Sequence, residues 1–167
     1  MYEIHVMVNY DWIKVPMIKK ADAISVNWDN TILTYNDNFK SYDYAYSDLQ
    51  GKWITYKTWN APEALNQGGL GIYTYIDYTY RLPSGEMNGA GGLKGTVTFS
   101  LTPEPRFSMS IAPGNNSTTI NCKYVHDKNP LLGSLSFSYE GFSVSIDTGE
   151  LQDSIADAAR IDYTRIA

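Results

Sequence analysis

Apolar residues recur at every second position along most of this chain, and that period most limits what the chain can fold into. Successive side chains of a β-strand point to opposite faces, so the period is typical of strands with one buried face. In the first run, one face carries Tyr2, Ile4, Val6, Val8 and Tyr10. The same period returns in residues 24–28, 72–82, 97–101, 107–111, 120–124 and 135–146. Pro, Gly and Asn separate the runs, and the pattern predicts an all-β fold: a single antiparallel β-sandwich of about 8–10 strands.

The last part of the chain departs from this period. Asp147 and Glu150 stand at the spacing of a helix N-cap and its third residue. Apolar residues then follow at helical intervals at Leu151, Ile155, Ala158 and Ala159. We therefore expect one short C-terminal helix, near residues 150–160.

One stretch in the first half also lacks a clear strand period. Residues 29–71 mix Tyr, Trp and Phe with Asn, Asp, Ser and Lys, and we expect a long, aromatic-rich irregular region there. A chain of 167 residues fits one domain, and no internal repeat is visible. The prediction is a single domain over residues 1–167.

Charge and targeting signals exclude several functions. The net charge is −5 and the sequence pI about 4.9, with Lys and Arg scattered, so we expect no nucleic-acid binding. Attachment to anionic lipid is disfavoured for the same reason, whereas neutral or zwitterionic headgroups remain open. The chain begins without a basic segment followed by an apolar one, which predicts cytoplasmic synthesis without a signal peptide. Release by another route, followed by action at target membranes, is compatible with that.

Catalytic and metal-binding motifs are not recognisable. Cys122 and His126 suggest a thiol and a base, but Cys122 lies on the apolar face of its strand, where a core role is expected. The carboxylates are spread evenly, which leaves a β-sandwich glycosidase as an alternative without a named acid and base. Asp29, Asp43 and Asp48 do not have the spacing of a calcium loop. The prediction is a non-enzymatic protein with no cofactor and no metal site.

The aromatic residues carry the clearest functional signal. Tyr and Trp combine an apolar ring with a polar tip, which suits the membrane–water boundary, stacking on sugars and, with a nearby cation, headgroup binding. The candidate ligand-binding residues are Trp53, Tyr56, Trp59, Tyr73, Tyr75 and Arg81. The glycines between residues 85 and 95 precede a strand rather than a helix, so they predict backbone geometry or a close approach and not a phosphate cradle.

Several short motifs resemble the aegerolysin family. They are Gly51-Lys52-Trp53, Ala61-Pro62, the Gly-x-x-Gly-Thr-Val-Thr-Phe stretch at 92–99, the run at 107–111, and Gly114-Asn115. The resemblance covers roughly residues 51–125. Members of that family are small, acidic all-β proteins similar to actinoporin-type cytolysins. The resemblance implies lipid binding and, for some members, pore formation or insecticidal activity with a larger partner protein.

Three functions are consistent with these observations. The first is a lipid- or membrane-binding module that recognises headgroups through exposed aromatic residues, as one component of a pore-forming or insecticidal toxin. The second is a lectin-like carbohydrate-binding module that uses the same rings for stacking. The third is a structural protein that presents a Tyr-rich surface to another protein.

Overall fold

The structure is a computed structural model that describes residues 3–12, 21–66, 68–75, 85, 92–103, 114–127, 135–138, 143–146 and 152–165. Within these residues the chain is all-β and contains no helix. The strands are β1 (Ile4–Trp12), β2 (Ala21–Asn27), β3 (Leu33–Tyr35), β4 (Lys40–Ser47), β5 (Lys52–Trp59), β6 (Ala64–Asn66), β7 (Gly69–Tyr75), β8 (Leu93–Pro103), β9 (Gly114–Asp127), β10 (Leu135–Ser138), β11 (Ser143–Ile146) and β12 (Gln152–Arg165).

Ten of the described strands form two antiparallel sheets of five. Sheet A has the order β1-β8-β4-β5, and β3 pairs with the last residues of β8. Sheet B has the order β12-β9-β2-β7-β6. The remaining two strands, β10 and β11, pair with each other from Leu135↔Ile146 to Ser138↔Ser143, inside the run at 135–146 where the strand period was predicted.

Apolar side chains from both sheets share one core cluster. Val6, Val97 and Phe99 enter it from sheet A, and Ile24 and Ile72 enter it from sheet B. All five are at most 9% exposed. Burying a side chain of this size contributes about 1.5–3 kcal/mol, so these inward faces hold the two sheets together. The alternation predicted for β1 is confirmed, and that of β8 holds from Leu93 to Phe99, after which Ser100 on the opposite face is buried as well.

The predicted helix near 150–160 is wrong, because residues 152–165 form β12. This strand pairs with β9 along its whole length, from Gln152↔Asp127 to Arg165↔Gly114. A spacing of four residues, as between Ile155 and Ala159, fits one face of a strand as well as one face of a helix. The edge of β9 offers fourteen residues of backbone hydrogen bonding, whereas a short isolated helix is marginal in water. The sheet edge therefore decides the conformation.

The predicted irregular region at 29–71 is also wrong, since β3, β4, β5 and β6 and the first residues of β7 lie within it. This is why the described residues contain twelve strands rather than the eight to ten expected. Strand β4 reverses the usual polarity: its buried face carries Ser41, Asp43, Ala45 and Ser47. Its three tyrosines are only half-buried. A pattern with tyrosine outside and small polar residues inside does not read as a strand with an apolar face.

Candidate functional site

Four aromatic side chains form a continuous surface on the outer side of sheet A. We call Tyr42, Tyr44, Tyr46 and Trp53 the aromatic face. The rings of Tyr42 and Tyr44 stack with their centroids 6.4 Å apart and an interplanar angle of 27°. Tyr46 pairs with Trp53 across β4 and β5, and their rings meet edge to face at 5.4 Å. The alternation of β4 puts the three tyrosines on one side, and the pairing adds the tryptophan.

Trp53 is the most accessible member of this face and is held from two directions. It is 36% exposed, and the Lys94 Nζ lies 4.1 Å from its ring centroid, a cation–π distance. Gly92 approaches the ring from the side, and a Cβ at that position would lie 3.2 Å from Trp53 Cη2. Gly92 also has a φ of +139°, a conformation that side chains other than glycine's rarely adopt. Gly92, one of the glycines between residues 85 and 95, thus combines an unusual backbone conformation with a close approach to a side chain.

The turn between β4 and β5 presents an apolar side chain beside this surface. Leu49 is 75% exposed at the end of the hairpin. The turn is fixed by hydrogen bonds to Ser47, whose carbonyl oxygen accepts from the Gly51 N–H at 2.8 Å and whose hydroxyl accepts from the Gln50 N–H at 3.1 Å. Gly51 has a φ of +63°, as a tight turn requires. A constrained turn therefore holds Leu49 next to the end of the aromatic face.

The structure divides the candidate residues named from the sequence. Trp53 faces outward, but Tyr56 is half-buried against Ala45 and Leu93, and Trp59 is half-buried against the main core. The register shifts between Asp43 and Tyr44, which leaves one extra residue on β5 and changes which of its side chains face inward.

Tyr73 and Tyr75 belong to the other sheet. Their backbones lie in β7 opposite Ala23 and Ala21 of β2, while their side chains and all of Arg81 lie outside the described residues. Sheet A therefore brings together Trp53 and three tyrosines of β4, and it does not bring Tyr73 and Tyr75 to them.

A second constellation is buried between the sheets. On sheet B, the fully buried Asp22 carboxylate lies 2.6 Å from His126 Nδ1 and accepts a hydrogen bond from the Tyr124 hydroxyl. On sheet A, the fully buried Asp43 carboxylate accepts a hydrogen bond from the Tyr10 hydroxyl. The Tyr10 and Tyr124 rings lie 5.4 Å apart, so the two pairs meet across the space between the sheets.

Burial controls the protonation of this constellation. It raises the pKa of the Asp22 carboxyl above its ordinary value, against the opposing effect of the hydrogen bonds from His126 and Tyr124. Burial first and the nearby carboxylates second also raise the pKa of the Tyr10 and Tyr124 hydroxyls well above that of a free tyrosine. The two tyrosines therefore stay protonated and act as hydrogen-bond donors to the acids.

Gly95 makes room for the sheet A half of this constellation. It lies between Tyr10 and Asp43 in the cross-strand row of β1, β8 and β4. A Cβ built on Gly95 would come far closer than 3.0 Å to the Tyr10 ring. The ring lies over the bare glycine, and only in this position does its hydroxyl reach the Asp43 carboxylate two strands away.

A cleft of about 760 Å³ opens beside these groups, between the β1 side of sheet A and the β9–β12 side of sheet B. Tyr10, Trp12, Tyr124 and His126 line its polar end. The Trp12 ring meets the His126 ring edge to face at 4.9 Å. Cleft volumes in this range hold small organic molecules in many proteins.

Sequence reasoning missed β4 although the signal was present. Residues 41–47 read Ser-Tyr-Asp-Tyr-Ala-Tyr-Ser, a strict alternation, and it could have been found by scoring tyrosine as an outward residue. The buried constellation had no local signal, because its members come from four strands between residues 10 and 126.

The described residues include no group of three or more His, Cys, Asp or Glu side chains arranged to hold a metal ion. They also include no helix long and apolar enough to cross a membrane. No protein-family model matches the chain, and no curated protein matches it.

Proposed function

We propose that this chain is a single β-sandwich domain that binds membrane surfaces through zwitterionic lipid headgroups, with the aromatic face and Leu49 as its contact. The observation that supports this most is the exposed Leu49 in the constrained turn that joins Tyr46 to Trp53. An apolar side chain at a turn, with Tyr and Trp on the strands that lead to it, suits insertion of the turn at the boundary between headgroups and water.

The charges near this surface fit a zwitterionic headgroup. Lys94 stands over Trp53, and Lys40 begins β4 on the same outward side as the tyrosines, since Lys40, Tyr42 and Tyr44 alternate with buried residues. Ammonium groups at this level contact lipid phosphate, and Tyr and Trp side chains suit the boundary between headgroups and water. Because the net charge is −5, long-range attraction to an anionic surface contributes little, and short-range contacts must provide the affinity.

A carbohydrate ligand is supported less well by the same surface. Stacking on a sugar needs a ring face turned toward the ligand. Tyr42 and Tyr44 turn their faces toward each other, and one face of Trp53 lies under Lys94.

The resemblance to aegerolysins supports the same proposal. Two segments that carry it, residues 51–53 and 92–99, are distant in sequence but adjacent in space, because Trp53 contacts Gly92 and Lys94. We propose on this basis that the chain acts as the membrane-recognising component of a cytolysin, with a larger pore-forming partner.

Cosedimentation with vesicles tests the proposal. Vesicles of phosphatidylcholine, with and without sphingomyelin and sterol, should sediment the protein, and the binding should change little with added salt. Leu49→Ala and Trp53→Ala should weaken the binding. Leu65→Ala is the matched control, since Leu65 is also exposed, at 43%, but lies on β6 of sheet B.

The size of the Leu49 effect follows from its exposure. Leu49→Ala removes three carbons, each of which contributes about 0.8 kcal/mol when buried. Scaled by the 75% exposure of the side chain, the lost binding free energy is about 1.8 kcal/mol, which is roughly a twentyfold weaker partitioning onto vesicles. No sedimentation with any vesicle composition, or equal losses for Leu49→Ala and Leu65→Ala, would contradict the proposal. Retention on an immobilised glycan that free sugar reverses would support the lectin alternative instead.

A further inference from the structure

The inter-sheet cleft has two chemically different parts. Its inner walls are aliphatic, formed by Val6 and Val8 of β1 with Ile24 and Ile120 of sheet B. Its other end is aromatic and polar and carries Trp12, Tyr124 and His126 among its lining residues. A ligand that fills both parts has an apolar body and one polar end, because an unpaired polar group against the aliphatic walls would cost free energy.

The described lining of the cleft carries acidic side chains. Asp11 of β1 and Asp157 of β12 both line it. Asp157 pairs with Cys122, so both side chains lie on the cleft side of sheet B, between the aliphatic and the aromatic part. Among the described residues that line the cleft there is no Lys or Arg. A cationic end group is favoured by these acids and by the aromatic rings, and a carboxylate end group is disfavoured.

His126 adds a directional contact. The side chain is 2% exposed, and its Nδ1 is held by Asp22 at 2.6 Å. None of the hydrogen bonds among the described residues uses the other ring nitrogen, Nε2. The contact with Asp22 and the edge-to-face contact with Trp12 at 4.9 Å hold the His126 ring in a fixed position in the wall of the cleft.

We propose that the cleft binds a protonated organic amine, an ammonium group on an aryl or alkyl body. The ammonium lies against the Trp12 and Tyr124 rings, with Asp157 as an exposed counter-charge in the lining of the cleft. The body lies over Val6, Val8, Ile24 and Ile120. This site is on the inner side of sheet A, so it is separate from the aromatic face and does not depend on membrane binding.

Three probes of matched body separate the end-group chemistries: 4-phenylbutylammonium, 4-phenylbutyrate and 4-phenylbutanol. Calorimetry on the full chain should give saturable binding of the ammonium, weaker binding of the alcohol and none of the carboxylate. In a ¹H–¹⁵N spectrum the ammonium should shift the Trp12 indole signal and the amides of Ala158 and Ala159. Shifts confined to residues outside the cleft would overturn the proposal.

Two pairs of variants provide the controls. Ala159→Phe fills the cleft, because Ala159 pairs with Ile120 on the inward side, and should abolish binding. Ala156→Phe places the same ring on the opposite side of β12, opposite Lys123, and should leave binding unchanged.

Asp157→Asn should weaken ammonium binding about threefold, the effect of one partly screened charge, whereas Glu63→Gln, an equal charge change at a distant exposed site, should not.

Three results would each refute the assignment: equal or tighter binding of the carboxylate, no binding of the ammonium up to about 1 mM, or full binding by Ala159→Phe. Each variant should still sediment with vesicles as the unmodified chain does, so failure here is distinguishable from failure of the proposed membrane function.

Discussion

Gly95→Ala should destabilise this protein far more than a single methyl group suggests. Gly95 lies beneath the Tyr10 ring, and its new Cβ would overlap the ring well inside 3.0 Å. The backbone of Gly95 does not have a positive φ, so the effect is one of space and not of chain conformation. The ring must move, and its hydroxyl then leaves the Asp43 carboxylate.

The expected cost has two parts. Overpacking of a tight site costs about 1–3 kcal/mol. Loss of a hydrogen bond to a buried carboxyl costs about 1.5–3 kcal/mol more. The sum is about 2.5–6 kcal/mol, a large part of the roughly 5–15 kcal/mol that holds a domain folded. With an m-value of about 2 kcal/mol/M, the urea midpoint should fall by about 2 M.

Urea unfolding of a double-mutant cycle tests this explanation. Tyr10→Leu removes the two ring carbons and the hydroxyl oxygen that the new Cβ would meet. In that background Gly95→Ala should be neutral or stabilising by up to about 1 kcal/mol, because alanine restricts the unfolded chain more than glycine does. The reasoning is refuted if Gly95→Ala costs the same in both backgrounds, or if it costs less than about 0.5 kcal/mol in the unmodified chain.

Three further predictions concern titration and backbone strain. Burial raises the pKa of Cys122 to about 11, so at pH 8 the folded thiol should react with a disulfide reagent roughly a hundredfold more slowly than the urea-unfolded chain; similar rates would contradict this. Because the pKa of Asp22 is raised above 3.8, the folded state retains a proton that the unfolded chain has released. The free energy of unfolding should therefore fall as pH rises above about 4. Urea titrations between pH 4 and 7 should show this slope for the unmodified chain and not for Asp22→Asn. Gly92→Ala should lower the free energy of unfolding by about 1–2 kcal/mol through its positive φ and its contact with Trp53, and an unchanged urea midpoint would show that the strand start adapts.

Strands with one apolar face could be predicted from the sequence because their pattern is local. Val97, Phe99 and Leu101 alternate with threonine and serine, and all three are buried as that period requires. The conformation of β12 depends on a partner instead. Its sequence satisfies both a helical and a β period at Ile155 and Ala159, and pairing with β9 selects the strand.

The site could be predicted only in part, for physical reasons. Trp53 was found because tryptophan in a polar context is a strong signal for a surface contact. Tyr56 and Trp59 have the same composition signal, but Tyr56 lies on the opposite face of β5 from Trp53 by simple alternation. The register shift beside Tyr56 then turns Trp59 inward as well. The contact of Asp22 with His126 joins residues a hundred positions apart, and no local period encodes it.

The pairing of β1 with β8 also has a consequence for how the protein is made. Val6 pairs with Phe99, so the first strand has no partner until roughly ninety more residues have been added. At about 5–20 residues per second, synthesis of that segment takes roughly 5–20 seconds. Throughout that interval the apolar side of β1 has no sheet to join, and long-range pairing is slow even after its partner emerges. We therefore expect the ribosome surface or a chaperone to cover β1 in the nascent chain, and strains that lack such factors to accumulate the protein as aggregate.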